Sequence, residues 1–227
     1  MEIYVYGVRR PIPEGFQEFT SPRATVAVSI DLHQGHLSED PECPCPAPRA
    51  REVVSGVNQF HREARKLGVP VIHVRSGVRP GGIDDTKGIP AAWRFTFPLH
   101  VGPIPNVDEH AITGSRWQEF ATEVDPSDLI VEGKKRLSAF FPTDLDFLLR
   151  NMGAKRIVFT GCMADCCILN SAFEASNLGY RITVLADLVR GTDPAMEDAA
   201  LKMISLHLGV VADSADLVAE WTSRTRF

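Results

Sequence analysis

The strongest constraint on the fold is the form of the apolar segments. TVAVSID (25–31), PVIHVR (70–75), DLIVEGK (128–134), RIVFTGC (156–162), RITVLAD (181–187) and GVVADS (209–214) are nearly continuous apolar runs of four to six residues. A strand with one wet face alternates apolar and polar residues, whereas a strand covered on both faces does not. Helical patterns separate these runs. In REVVSGVNQFHREARKLG, Val53, Val54, Val57, Phe60 and Ala64 share one face and Gly68 is the expected stop. PTDLDFLLRNMG offers Thr143 as a cap with Asp146 three residues on, and ADCCILNSAFEASNLG offers Asp165 as cap and Gly179 as stop. DPAMEDAALKMISLHLG opens on Asp193 with Pro194 in the first helical position and stops at Gly209. The alternation predicts a three-layer α/β/α architecture around a central, mostly parallel sheet of six strands, joined by right-handed crossovers.

Two segments break this rhythm. Residues 1–24 read as an N-terminal arm with weak structural signals, and 25–227 as one domain. Residues 76–127 carry many Gly and Pro together with Trp93 and Trp117, and read as an irregular insertion on the substrate side. With 24 Lys+Arg against 29 Asp+Glu the net charge is −5, which argues against nucleic acid as a partner. No apolar run approaches the roughly 20 residues of a membrane span, and the first residues lack a signal-peptide core. The expected location is cytoplasmic. The five cysteines, Cys43, Cys45, Cys162, Cys166 and Cys167, are an odd number in a chain too long to need staples, so they do not read as a disulfide framework.

In a parallel sheet, ligands bind beyond the carboxyl ends of the strands. The expected strand ends bring up Asp31 with His33, then His73 and Arg75, then Lys134, then Cys162 followed by Asp165-Cys166-Cys167, and finally Asp187. A thiol in the first turn of a helix is favoured as thiolate by the helix dipole and by a neighbouring ammonium. A carboxylate can take its proton and later deliver it to a leaving amine. No nucleotide-binding glycine loop and no G-x-S-x-G elbow is present.

Three blocks carry a specific resemblance: AVSIDLHQGHL, KKRLSAFFPTDLDFLLRNMGAKRIVFTGC and GCMADCCILNSAFEASNLGYRITVLAD. Together, over roughly residues 25–215, the chain resembles the isochorismatase-like cysteine hydrolases, a group that includes nicotinamidases, N-carbamoylsarcosine amidases and ureidoacrylate amidases. The resemblance implies Asp31 as general base and then acid, Lys134 as the cation beside the thiol, and Cys167 as nucleophile. It also implies a non-proline cis peptide at Cys162–Met163, and an oxyanion hole from the backbone N–H groups of Met163 and Cys167. The cysteine, which true isochorismatases lack, favours hydrolysis of a C–N bond in a small amide or carbamoyl substrate. A homodimer or homotetramer is implied as well, and no cofactor.

The chain also departs from the family pattern. Asp31-Leu32-His33-Gln34-Gly35-His36 stands where the family has Asp-Met-Gln-Asn-Asp-Phe, so the side chains just beyond Asp31 differ from those that accompany the family's familiar substrates. The nicotinamidase metal pair after the second strand has no counterpart in His73-Val74-Arg75-Ser76-Gly77. Cys43 and Cys45 with His33 and His36 offer zinc-type donors, but the C-x-C spacing among prolines reads as an extended loop, and no metal is expected. His33, Arg75, Trp93, Trp117 and Phe140 are the candidates for contact with substrate, and His73 reads as a core histidine. A redox or binding module built on the cysteines, or a silent member of the family, is the alternative to hydrolysis.

Overall fold

The computed structural model describes residues 1–225, so the last two residues of the expected 25–227 unit lie outside it. The strands are β1 (Glu2–Val5), β2 (Val8–Pro11), β3 (Thr25–Ile30), β4 (Val71–Ser76), β5 (Leu129–Lys134), β6 (Arg156–Cys162), β7 (Arg181–Arg190) and β8 (Gly209–Ala212). They form one sheet in the order β2-β1-β8-β7-β6-β3-β4-β5. From β8 to β5 every neighbouring pair is parallel. These six are the apolar runs of the sequence. The sheet has eight strands rather than six because the N-terminal arm folds back as an antiparallel hairpin and its first strand pairs antiparallel with β8. The arm was hard to read because β2, VRRP, is exposed throughout and has no apolar run to mark it.

The helices are α1 (Gln34–Leu37), α2 (Val54–Lys66), α3 (Trp93–Val101), α4 (Leu145–Asn151), α5 (Leu169–Asn177), α6 (Pro194–His207) and α7 (Ser214–Thr225). Side chains of a strand point alternately to the two faces of its sheet, and β3 shows both. Val26, Val28 and Ile30 join a core with Leu145 and Leu149 of α4, Ala172 and Ala175 of α5 and Ile204 of α6. Ala27 joins the opposite core with Val57, Phe60 and Ala64 of α2 and Leu217 and Trp221 of α7. Both faces of β3 and β6 are therefore dry, and all their residues are buried. The edge strand β5 differs, with Leu129 and Ile130 exposed. No helix of the described residues is long and apolar enough to cross a membrane.

Helix ends follow the sequence in part. Asp193 caps α6, its carboxylate accepting from the N–H groups of Ala195 and Met196, with Pro194 in the first turn. Asp165 is not a cap. It lies inside a π-helical turn, Ala164–Ile168, that precedes α5, and its carboxylate accepts from the backbone N–H and hydroxyl of Thr192. The segment between β4 and β5 is less irregular than its composition suggests, since α3 forms within it despite Pro98.

One glycine is required at the approach to the site. Gly161 sits at φ 117° where β6 runs against β3, and a Cβ there would lie 2.1 Å from the Ile30 carbonyl oxygen. Gly161→Ala should force the two strand ends apart and cost about 2 kcal/mol or more of stability, measured by urea denaturation. An unchanged midpoint would show that the strand ends are free to move.

Candidate active site

Adjacent strands β6, β3, β4 and β5 deliver the chemistry in sequence along one edge of the sheet. β3 ends at Ile30, and the next residue, Asp31, adopts a left-handed backbone with φ 56°. Aspartate tolerates that region better than most residues, and sparsely populated backbone of this kind clusters at functional sites. Asp31 is wholly buried, with its Oδ1 accepting from both the backbone N–H and the hydroxyl of Ser76, each at 3.0 Å. Ser76 is the last residue of β4. Lys134, the last residue of β5, reaches past β4 to place Nζ 2.5 Å from Asp31 Oδ2. The same ammonium lies 3.3 Å from Cys167 Sγ, which comes from the π-helical turn beyond β6.

The electrostatics follow from burial and pairing. Burial opposes the charge on Asp31, but the Lys134 ammonium and the His33 ring together hold its carboxyl well below the ordinary range. Burial likewise opposes the charge on Lys134, and the Asp31 carboxylate and Cys167 sulfur more than offset it, holding the ammonium above its usual value. The pair is ionised at neutral pH. The Cys167 thiol is pushed up by the neighbouring Cys166 thiol and by burial, against the pull of Lys134, so the resting group is a thiol. The two sulfurs lie 4.0 Å apart, and all five cysteines are free.

Above this triad lies a cavity of about 550 Å³ lined by Ser76, Lys134, Met163 and Cys167 below and by residues of the β4–β5 segment, Trp93 and His110 among them, above. The expected cis peptide at Cys162–Met163 is present. Of the five residues expected to touch substrate, Trp93 lines the cavity. His33 is buried beside Asp31, its Nε2 3.7 Å from Oδ1.

Three expectations need correction. Arg75 does not line the cavity, whereas its neighbour Ser76 does and donates to Asp31, the register with β5 shifting between Val74 and Ser76. Its guanidinium instead lies over the Phe120 ring, 4.8 Å from the centroid, donates to the Gln118 carbonyl and pairs with Glu132. Trp117 is buried under the Arg116 guanidinium and offers only its carbonyl, which lies 2.8 Å from His33 Nδ1. Phe140 is part of the core, stacked on Tyr180 with centroids 6.1 Å apart. His73 is a core histidine as expected, its Nε2 2.9 Å from Asp128 Oδ2.

Sequence reasoning missed Ser76 and His110. Ser76 could have been found from its place at the end of β4. Nothing local marks His110, which lies in a loop between short 3₁₀ turns and reaches the site only through the path of the insertion. There it joins His33 and His36, the three rings lying 4.7–5.8 Å apart between centroids. Burial pushes His36 down to about 4 and holds His110 well below its ordinary value, with the neighbouring imidazoles adding to both.

Removing the ammonium isolates the carboxylate. In Lys134→Met, burial should dominate and raise the Asp31 carboxyl above its ordinary value, with a loss of about 3–5 kcal/mol of stability at neutral pH. An acid whose folded-state pKa is raised binds more protons when folded, so stability should partly recover as the pH falls towards protonation of Asp31. Denaturation of the variant at a series of pH values checks this, and a loss that is independent of pH would contradict it.

Known proteins resemble this chain in sequence and in fold. The model of the Isochorismatase domain matches residues 25–216. The ureidoacrylate amidohydrolase RutB of Pseudomonas syringae pv. syringae is 27% identical over 169 residues, covering 72% of this chain and 69% of that protein. A cysteine hydrolase from Pseudomonas syringae pv. phaseolicola superposes with a TM-score of 0.76 at 22% identity, over 95% of this chain and 97% of its own. A nicotinamidase from Bacillus subtilis gives a TM-score of 0.66 at 20% identity, over 84% and 99%. At these identities the two structural likenesses speak to the fold. The family match covers most of the chain and includes every residue of the Asp31–Lys134–Cys167 cluster, so the chain belongs to the isochorismatase family.

Proposed function

We propose that this chain is an amidohydrolase acting on a C–N bond, other than a peptide bond, in a small amide or carbamoyl compound, through a thioester on Cys167. One observation carries the reading. A single buried ammonium, Lys134 Nζ, touches both Asp31 Oδ2 and Cys167 Sγ at the foot of a cavity of small-molecule size. The 27% identity to a ureidoacrylate amidohydrolase supports the same substrate class.

The chemistry starts from the thiol. As Cys167 Sγ attacks the substrate carbonyl carbon, its proton passes to Asp31, so no free buried thiolate has to persist. Lys134 stays charged throughout and balances the negative charge as it moves from carboxylate to sulfur and oxygen. The oxyanion is received by the backbone N–H groups of Met163 and Cys167. On collapse the C–N bond breaks, the nitrogen leaves with the proton held by Asp31, and the acyl group remains on sulfur. Asp31, again a carboxylate, takes a proton from water as that water attacks the thioester. The acid product leaves and the thiol is restored. Ser76 acts as a positioning residue, because its two hydrogen bonds hold Oδ1 and leave Oδ2 for Lys134.

Ammonia release from a panel of primary amides, ureas and N-carbamoyl acids tests the reading. Cys167→Ala should lose at least about 10³-fold in kcat/KM while remaining folded. Cys166→Ala should keep most of the activity. Full activity in Cys167→Ala would overturn the thioester.

A further inference from the structure

Three histidines meet beside the catalytic carboxylate, and the hydrolytic mechanism uses none of their ring nitrogens. We propose that His33, His36 and His110 form a binding site for a divalent transition-metal ion of the zinc type, with an open coordination position facing the cavity.

The argument begins with where the ring protons are. His33 Nδ1 lies 2.8 Å from the Trp117 carbonyl oxygen, and His36 Nδ1 lies 2.8 Å from the Cys45 carbonyl oxygen. A carbonyl cannot donate, so His36 Nδ1 carries a proton and in the neutral ring its Nε2 keeps a lone pair, while His33 Nδ1 lies between the Trp117 carbonyl and the Gly35 N–H, which is 3.2 Å away. A proton on one nitrogen, given to a backbone carbonyl, is the arrangement that orients a metal-binding imidazole. Two buried ring nitrogens, His33 Nε2 and His110 Nδ1, have no hydrogen-bond partner among the described residues. His33 Nε2 lies 3.7 Å from Asp31 Oδ1, outside hydrogen-bond distance. A cation held on that nitrogen sits beside the buried Asp31 carboxylate, whose charge favours it.

The spacing suits an ion. One nitrogen from each ring can be chosen so that all three lie within 4.8 Å of one another. Some point is then within about 2.8 Å of all three, against a Zn–N bond of about 2.0–2.1 Å, so inward movement of roughly 0.7 Å closes the site. The donors are all imidazole, which favours zinc, copper, nickel or iron over calcium or magnesium. His36 and His110 line the cavity that contains Cys167, which places the fourth position on that side. No thiol belongs to this group. The Cys43 thiol donates to the Gly35 carbonyl at 3.3 Å, and the Cys-Pro-Cys loop serves the cluster through the Cys45 carbonyl on His36.

The test is metal uptake, which stands apart from hydrolysis. Chelator-stripped full-length protein is titrated with ZnCl₂ alone by calorimetry and with CoCl₂ by visible absorption. The expected result is one ion per chain with a Kd below about 1 µM. Affinity should fall by about 100-fold or more in His36→Gln and in His110→Ala, and survive in Cys167→Ala and in the Cys43→Ser/Cys45→Ser double variant. The cobalt complex of the unaltered chain should show nitrogen-ligand bands without a sulfur-to-metal charge-transfer band, which decides the matter even if a histidine variant fails to fold. Absence of saturable uptake would overturn the site. A sulfur-to-metal band, or equal uptake by folded His36→Gln and His110→Ala, would overturn it as well.

Discussion

A lysine ammonium buried between a carboxylate and a thiol is the interaction on which the rest of the site depends. Lys134 and Asp31 are almost completely withdrawn from water, and neither charge could be carried there alone. Each needs the other, and both need the sheet. Lys134 ends β5 and Asp31 follows β3, with β4 between them. The pair therefore ties strands that are not neighbours, and Ser76 at the end of the intervening strand completes the tie through Asp31 Oδ1. A thiol set against this ammonium sits beside a charge that is fixed before any substrate arrives. Such preorganisation is how protein sites stabilise developing charge at little reorganisation cost.

The second constraint is the close approach of β6 to β3. Gly161 allows the β6 backbone to press against Ile30, and the chain then passes through Cys162–Met163 into the π-helical turn that carries Cys167. Asp165 within that turn is bound by Thr192 beyond β7. The turn that carries Cys167 is thus anchored to β3 on one side and to the β7–α6 loop on the other. Opposite it, the β4–β5 segment closes the cavity with α3 and brings in His110. The floor of the site belongs to the sheet edge, and its roof belongs to the insertion. The histidine group spans the two, with His33 and His36 following β3 and His110 descending from the roof.

Much of this was legible in the chain. The six continuous apolar runs became the six parallel strands, because burial on both faces leaves a mark that needs no tertiary information. The positions of Asp31, Lys134 and Cys167 at or just beyond strand ends followed from the same pattern, and the order of the three motif blocks pointed to the family. The misread elements share a physical cause. β2 has no apolar pattern because it is exposed. Asp165 looked like a cap because caps and loop anchors use the same short acidic side chain. Arg75 and Ser76 are adjacent in sequence, and strand ends bulge, so only the finished register between β4 and β5 shows which of the two faces the site.

Local sequence, then, specified the layers of the fold, the strands that carry the chemistry and the chemical types of the three central side chains. It could do so because periodicity and strand burial are short-range properties. The tertiary structure alone decided that Lys134 reaches across β4 to Asp31, that Ser76 rather than Arg75 faces inward, and that His110 meets His33 and His36. Those outcomes depend on strand order, register and the path of a long insertion, and each joins residues many tens of positions apart. No window of sequence contains both partners of such a contact, so their meeting is a property of the packed molecule.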